Sequence, residues 1–377
     1  MTGLLWASKP RFRQARRCFA MDIRPQVPIG AIVRRSDEAC VVALSVRYRS
    51  TMLKVRSAAI DAVRVVGIVA VVAGHVWSNG TARELLYTWH VPVFFFLSGY
   101  LWAPGRTLGA EFRNRWRTLG RPYLAWLVVI GAVFLGWLAL RGQLTPTMPL
   151  RLLMGGDYIG RPFSAFWFMS ALFAACVIFR ALDRWPWLVA GLGACGLVAA
   201  AAVPDLIAEI PLSVGISVPA LIFMVAGFAF RRVRNRIARL VPLAFGALVL
   251  SAVVVALGWS APLDMKRADF GTPGLSVLVS ILICAGLLVL AEALIPMLGI
   301  AVGRTIVALA TCGTMVILTH AAILWLLNAP ADGSVIDFLL ALLVPWLAAF
   351  VTARTPLAPV LIGVSPASWR YRAVPTM

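Results

Sequence analysis

Apolar runs of about twenty residues follow one another, with short polar breaks, from residue 58 to residue 353. Ten can be counted, at approximately 58–78, 86–103, 122–140, 164–180, 185–203, 211–230, 240–259, 274–295, 305–327 and 335–353. As helices rising 1.5 Å per residue, runs of this length match the roughly 30 Å hydrocarbon core of a bilayer. In lipid every backbone amide has to be paired within the protein, and runs of about twenty residues suit a helix, where a membrane strand needs only about ten. Of the 377 residues 61% are hydrophobic and only 13% charged, whereas soluble domains carry about a quarter charged residues. The expected fold class is all-α: a polytopic integral membrane helical bundle of about ten transmembrane helices.

The formal net charge of +20 falls between the apolar runs instead of on one face, which argues against a nucleic-acid partner. Membrane topology accounts for it better. With the N-terminus inside, 28 of the 35 Lys and Arg residues lie on the inner side and six on the outer side, leaving Arg64 within a span. That bias predicts a multi-pass cell-membrane protein with both termini cytoplasmic. Residues 1–56, rich in arginine and without a sustained apolar period, read as a disordered cytoplasmic tail, and MTGLLWA is too short for a signal-peptide core. Met52 is an alternative start, because MLKVRSAAIDAVR makes a compact basic lead into the first span. Residues 57–353 then form one membrane domain and 354–377 a cytoplasmic C-terminal tail. Six cysteines stand singly without CxxC spacing, which indicates neither a disulfide framework nor a metal site.

An ionisable group in hydrocarbon costs about 2.5–3.5 kcal/mol on insertion scales, so one that is present usually faces a cavity or a partner. Arg64 and His75, in RVVGIVAVVAGH, are the first candidates. Eleven residues at 100° each end about 20° past three turns, so both project from one face, about 16 Å apart along the axis. The other two histidines, His90 and His320, fall in the outer halves of the second and ninth spans. All three therefore share a depth. The bland reading keeps the histidines as packed or interhelical hydrogen-bonding residues and pairs Arg64 with Asp61 at i, i+3. Three histidines without a carboxylate or a short-spaced pair make a poor metal site.

Asp61-x-x-Arg64, ten further residues and His75, followed by WHVPVFFFLSGYLW (89–102), resemble the acyltransferase 3 family of membrane proteins. RTLGRPYLAW (117–126), FWFMSALF (166–173) and LTHAAIL (318–324) resemble later segments of that family, over about residues 57–353. His90-Val-Pro-Val resembles its His-x-Pro branch, without a fused esterase-like domain after the tenth span.

The resemblance implies a membrane O-acyltransferase that uses acyl-CoA, acetyl-CoA by default, as co-substrate, with no permanently bound cofactor. The acceptor would be a hydroxyl of a cell-envelope glycan, a lipid-linked sugar or a small molecule. Donor phosphates would lie against Arg64, helped by Arg113, Arg115, Arg117 and Arg121, since guanidinium offers a fixed fork of charged donors. The climb to His75 is comparable with an extended pantetheine arm. There His75 would act as general base or, in a less favoured version, form an acyl-imidazole. His90, Ser98 or Trp167 could donate to the oxyanion, and His320 could orient His75 or bind acceptor. Outer loop 141–163, with Arg141, Arg151, Asp157, Tyr158 and Arg161, is the expected acceptor surface. Each of these has a structural alternative: Ser98-Gly99 as a small-residue helix contact, Trp167 as an interfacial anchor, the arginines as positive-inside charges. The competing class is a transporter or flippase of a polar or anionic cargo that uses the same intramembrane Arg and His residues.

Overall fold

The computed structural model describes residues 56–364, so the basic tail, the Met52 alternative and most of the C-terminal tail lie outside the described residues. Among the described residues the protein is all helix, with one isolated bridge between Trp77 and Asp332. The helices are α1 (Ala58–Val76), α2 (Gly80–Tyr87), α3 (Pro92–Tyr100), α4 (Leu108–Arg115), α5 (Arg121–Leu140), α6 (Met148–Met154), α7 (Phe166–Leu182) and α8 (Pro186–Ala202). They continue as α9 (Pro204–Ala208), α10 (Val214–Val233), α11 (Leu240–Ala256), α12 (Leu275–Leu294), α13 (Gly299–Leu326), α14 (Val335–Thr352) and α15 (Ala358–Leu361).

Among the described residues five helical stretches are long and apolar enough to cross a membrane: Ala58–Val76, Leu108–Leu140, Pro211–Arg236, Leu275–Leu326 and Val335–Thr352. Phe166–Leu182, Pro186–Ala202 and Leu240–Ala256 are shorter apolar helices. The protein is a polytopic membrane helical bundle. Large apolar side chains point outward along its rim, among them Val128 and Leu140 on α5, Phe245 and Leu250 on α11 and Leu347 on α14. In water such a surface would aggregate, and against lipid tails it is the matching surface.

The second apolar run does not form one span. It divides into α2 and α3 around a turn at Thr88–Val91. Pro92 has no amide to donate to the preceding turn, and the Thr88 hydroxyl bonds the Glu84 carbonyl at 2.9 Å. At nine residues α3 is about 13 Å long, too short to cross the core. It is instead enclosed, with Phe95 and Phe96 fully buried. Glycines make this enclosure possible: a Cβ on Gly99 would sit 1.9 Å from the Met224 carbonyl oxygen, and one on Gly227 would sit 2.0 Å from that of Phe96. The backbones of α3 and α10 meet there directly, as small residues allow between helices in lipid.

The outer loop between α5 and α7 folds back into the bundle. Four rings stack along α5 in sequence: Phe134 on Phe163 at 5.6 Å, Phe163 on Phe166 at 5.4 Å and Phe166 on Tyr123 at 5.2 Å. Non-helical backbone within a membrane protein persists where protein buries it or a cavity borders it, and Ile159, Phe163 and Ala165 are all buried. On the opposite side Glu111 binds Arg106, Arg115 and Arg180, and Arg180 stacks 4.0 Å over the Trp102 ring, tying α4 to α7. The helical body continues past residue 353. The Trp126 indole donates to the Leu361 carbonyl at 3.0 Å, which seats α15 on α5.

Candidate active site

Helix α1 starts at Ser57, whose hydroxyl accepts the Ile60 amide, and carries Asp61 in its first turn. Asp61 is fully buried and takes two guanidinium partners: Arg64 Nη1 at 2.7 Å on one oxygen, and Arg56, in a short contact, on the other. Arg56 also donates to the Thr311 hydroxyl of α13 at 2.7 Å. Arg64 does pair with Asp61, but two arginines on one carboxylate leave positive charge over. These arginines, Arg115, Ser98 and Thr311 border a cavity of about 280 Å³, the inner cavity in the orientation expected from the charge bias. Arg113, Arg117 and Arg121 are exposed and do not border it.

A second, smaller cavity of about 90 Å³ lies at the other end of α1, bordered by His75, Tyr87, His90, Ser164, Trp167 and Lys266. Phe168 and Ile317 border both cavities, and Phe168 packs on Phe94 at 5.2 Å. An apolar partition a side chain or two thick therefore stands between them.

His320 is fully buried, and its ring lies 4.9 Å from that of His75. Its Nδ1 is 3.0 Å from the Val316 carbonyl oxygen; a carbonyl can only accept, so Nδ1 carries the proton. Nε2 is then an acceptor, buried with no partner among the described residues. The same logic fixes His90, whose Nδ1 meets the Leu86 carbonyl at 2.7 Å. A neutral His90 of this tautomer offers a lone pair to the site, not a donor. His90 stands in the turn before α3, not on a helix, and its ring packs on Tyr87 at 4.8 Å. Trp167 is buried in the cavity wall, not exposed at the lipid surface. Ser98 borders the inner cavity, away from the histidines, while Gly99 makes the contact with α10.

The expected acceptor loop contributes differently from the expectation. Arg141 and Arg151 are exposed, whereas Arg161 turns inward and donates to the carbonyls of His75 at 2.6 Å and Ala329 at 2.5 Å. Burial lowers the pKa of its guanidinium. The loop after α11 supplies the charged wall. Asp264 and Lys266 border the outer cavity; Asp264 is paired with Arg83 at 3.0 Å, and Lys266 donates to the Ile159 carbonyl at 3.1 Å. Burial lowers the Lys266 pKa, opposed by Asp157 and Asp264. Sequence reading passed over Arg56, Ser164, Asp264 and Lys266. A signal existed for one of them: Lys266 is one of three lysines in the chain and sits in an outer loop, where the topology rule disfavours it.

The arrangement thus offers a cationic cavity at one end of a helix and a histidine cavity at the other, on one line. No curated protein and no solved structure matches this chain. A family model described as an acyltransferase domain matches residues 57–364, nearly the whole of the described chain. The chain belongs to this acyltransferase family, and the protein is a multi-pass membrane acyltransferase.

Proposed function

We propose that the protein carries an acyl group, acetyl by default, from cytoplasmic acyl-CoA across the bilayer to a hydroxyl of a sugar, cell-envelope glycan or related acceptor. The observation that supports this best is the pair of cavities at the two ends of α1, meeting at Phe168 and Ile317. The inner one suits a polyanionic headgroup: Arg56, Arg64 and Arg115 face it, and guanidinium binds phosphate with paired, charge-assisted hydrogen bonds. Arg113, Arg117 and Arg121, on the exposed side of the same segment, attract the polyanion without holding it. The pantetheine arm then passes along α1 and brings the thioester through the Phe168–Ile317 partition.

In the outer cavity the acceptor hydroxyl gives its proton to His75 as its oxygen attacks the thioester carbonyl carbon. The tetrahedral intermediate collapses, the carbon–sulfur bond breaks, and the thiolate recovers the proton from the His75 imidazolium. Acyl-CoA and an alcohol become an ester and free CoA thiol. The Ser164 hydroxyl, buried without a partner, and the Lys266 ammonium are the donors available to the oxyanion. His90, an acceptor at Nε2, suits the holding of the incoming hydroxyl, and His320 packs its ring 4.9 Å from that of His75, where it can orient the base. Asp264, which borders the same cavity, adds a carboxylate that an acceptor hydroxyl could meet.

The test is release of free thiol from acetyl-CoA by purified, detergent-solubilised protein, wild type beside His75→Ala, with and without a hydroxyl-bearing glycan mixture. Acceptor-stimulated release that needs His75 supports the reading. No release by wild type, with no acetyl-CoA binding, overturns it.

A further inference from the structure

An α-helix leaves its last four carbonyls without intrahelical partners, and at a buried helix end each needs a donor from elsewhere. At the His75 end of α1 these are the carbonyls of residues 73 to 76. Ala73 is satisfied by the Trp77 amide at 2.8 Å, Gly74 by the Tyr87 hydroxyl at 3.3 Å and Val76 by the Gly333 amide at 3.0 Å. The carbonyl of His75 itself is satisfied by Arg161 Nη2 at 2.6 Å. Arg161 is the one charged donor of the four. Its other arm, Nη1, reaches the Ala329 carbonyl at 2.5 Å, just beyond α13, the helix that carries His320.

One planar group therefore bridges the C-terminal ends of the two helices whose histidine rings are 4.9 Å apart. A guanidinium presents its N–H groups in a rigid fork, so it sets the spacing of two carbonyls as well as satisfying them. Positive charge at two helix C-termini is also favourable, because each carries a partial negative charge. Arg161 belongs to the loop that supplies Ser164 to the cavity wall and leads into α7, which supplies Trp167, so the same side chain ties that wall to the helix bearing His75.

Building on the transferase reading, we propose that Arg161 is a positioning residue for acyl transfer: it locks His75 against His320 and against the cavity wall, touching neither donor nor acceptor. A merely structural strut would lower stability and every activity together. A positioning strut lowers turnover at unchanged donor affinity, since about 1 Å of misplacement at a reacting centre costs on the order of 10²-fold.

The experiment compares full-length wild type with Arg161→Ala, Arg161→Lys and, as a control in the same loop, the exposed Arg141→Ala, by kcat, acetyl-CoA Kd and Tm. The expected result is a kcat about 10²-fold lower in Arg161→Ala with Kd unchanged. Lysine, a point charge that does not span two carbonyls, restores little, and millimolar guanidinium ion restores part of the activity of the alanine variant alone. A kcat near wild type in Arg161→Ala, a parallel loss of kcat and donor binding, or no guanidinium rescue overturns the proposal. If wild type neither turns over nor binds acetyl-CoA, the transferase reading fails separately. The proposal is then read from the rate at which diethyl pyrocarbonate carbethoxylates His75, expected to change several-fold in Arg161→Ala and not in Arg141→Ala; an unchanged rate overturns it.

Discussion

The two ends of helix α1 are built from opposite materials. At its start, Asp61 is wrapped by Arg56 and Arg64, and the cavity there is open, cationic and about 280 Å³. At its end, two histidines, a tyrosine and a serine border about 90 Å³, and the carboxylate and ammonium in that lining come from the loop residues Asp264 and Lys266. Under the proposed transfer, the inner end would hold the charged headgroup of the donor and the outer end the small reacting centre. Binding and proton transfer make conflicting demands on polarity, and a helix about five turns long keeps them apart.

The largest effect should separate the two ends completely. His75→Ala removes the proposed base, and positioned general bases contribute about 10²–10⁴-fold, so turnover should fall by that order while acetyl-CoA affinity measured by calorimetry stays at the wild-type value. Weaker donor binding in that variant would break the comparison, because it would mean the outer cavity also holds the headgroup. Next in size is Arg64→Ala. Hydrogen bonds to charged groups contribute about 1.5–3 kcal/mol, so acetyl-CoA should bind about 10- to 100-fold more weakly, with kcat at saturation much less affected. Arg56→Ala should behave alike if both arginines face the donor, since the two share Asp61. A loss confined to kcat in either variant would contradict an inner binding end.

How far these two ends could be read in advance differs, for a physical reason. The shared stripe of Arg64 and His75 follows from helix pitch alone, and pitch is local; so does the pairing of Asp61 with Arg64 one turn away. The apolar runs announced a membrane bundle because lipid accepts few alternatives. The break at Thr88–Val91 was masked by the continuous apolarity around it, although Pro92 was its visible cause. Ser164 and Asp264, and the place of Arg161 and Lys266 at the cavity, were beyond such reading, because loops reach the site by folding back through contacts distant in sequence, such as those of the Phe163 and Phe166 rings with α5. Loop length and charge pointed to 141–163 as an acceptor surface; the inward turn of Arg161 is a tertiary fact.

The partition offers a smaller but more pointed test. Phe168 and Ile317 border both cavities, and Phe168 rests against Phe94 and Phe95. Phe168→Ala should join the cavities and admit water to a bound thioester. The expected outcome is a several-fold rise in acceptor-independent thiol release, read against a fall in acylated product, with donor affinity kept. Tight coupling of thiol release to acceptor in that variant would show that the partition does not control water. The comparison would then rest on the polar residues alone.

The smallest expected effect concerns Lys266, the charge that the outer end tolerates. Burial lowers its pKa below the ordinary 10.5, with Asp157 and Asp264 opposing the shift. A lysine whose folded pKa lies below its unfolded value penalises the folded state wherever it is charged in both. That penalty is fully present below the folded pKa and disappears as pH rises through it toward 10.5. Replacing Lys266 by methionine should therefore help folding most at neutral pH, and the Tm difference from wild type should drift in favour of wild type as pH climbs through the lowered pKa toward the ordinary 10.5. Activity should move the other way at neutral pH, because the ammonium is a proposed oxyanion donor. A variant more stable and less active near pH 7, with the stability gap closing in alkali, would show that the outer end keeps this charge for chemistry at a cost in folding. A gap independent of pH would mean that burial does not penalise the Lys266 charge, and the contrast between the two ends of α1 would narrow accordingly.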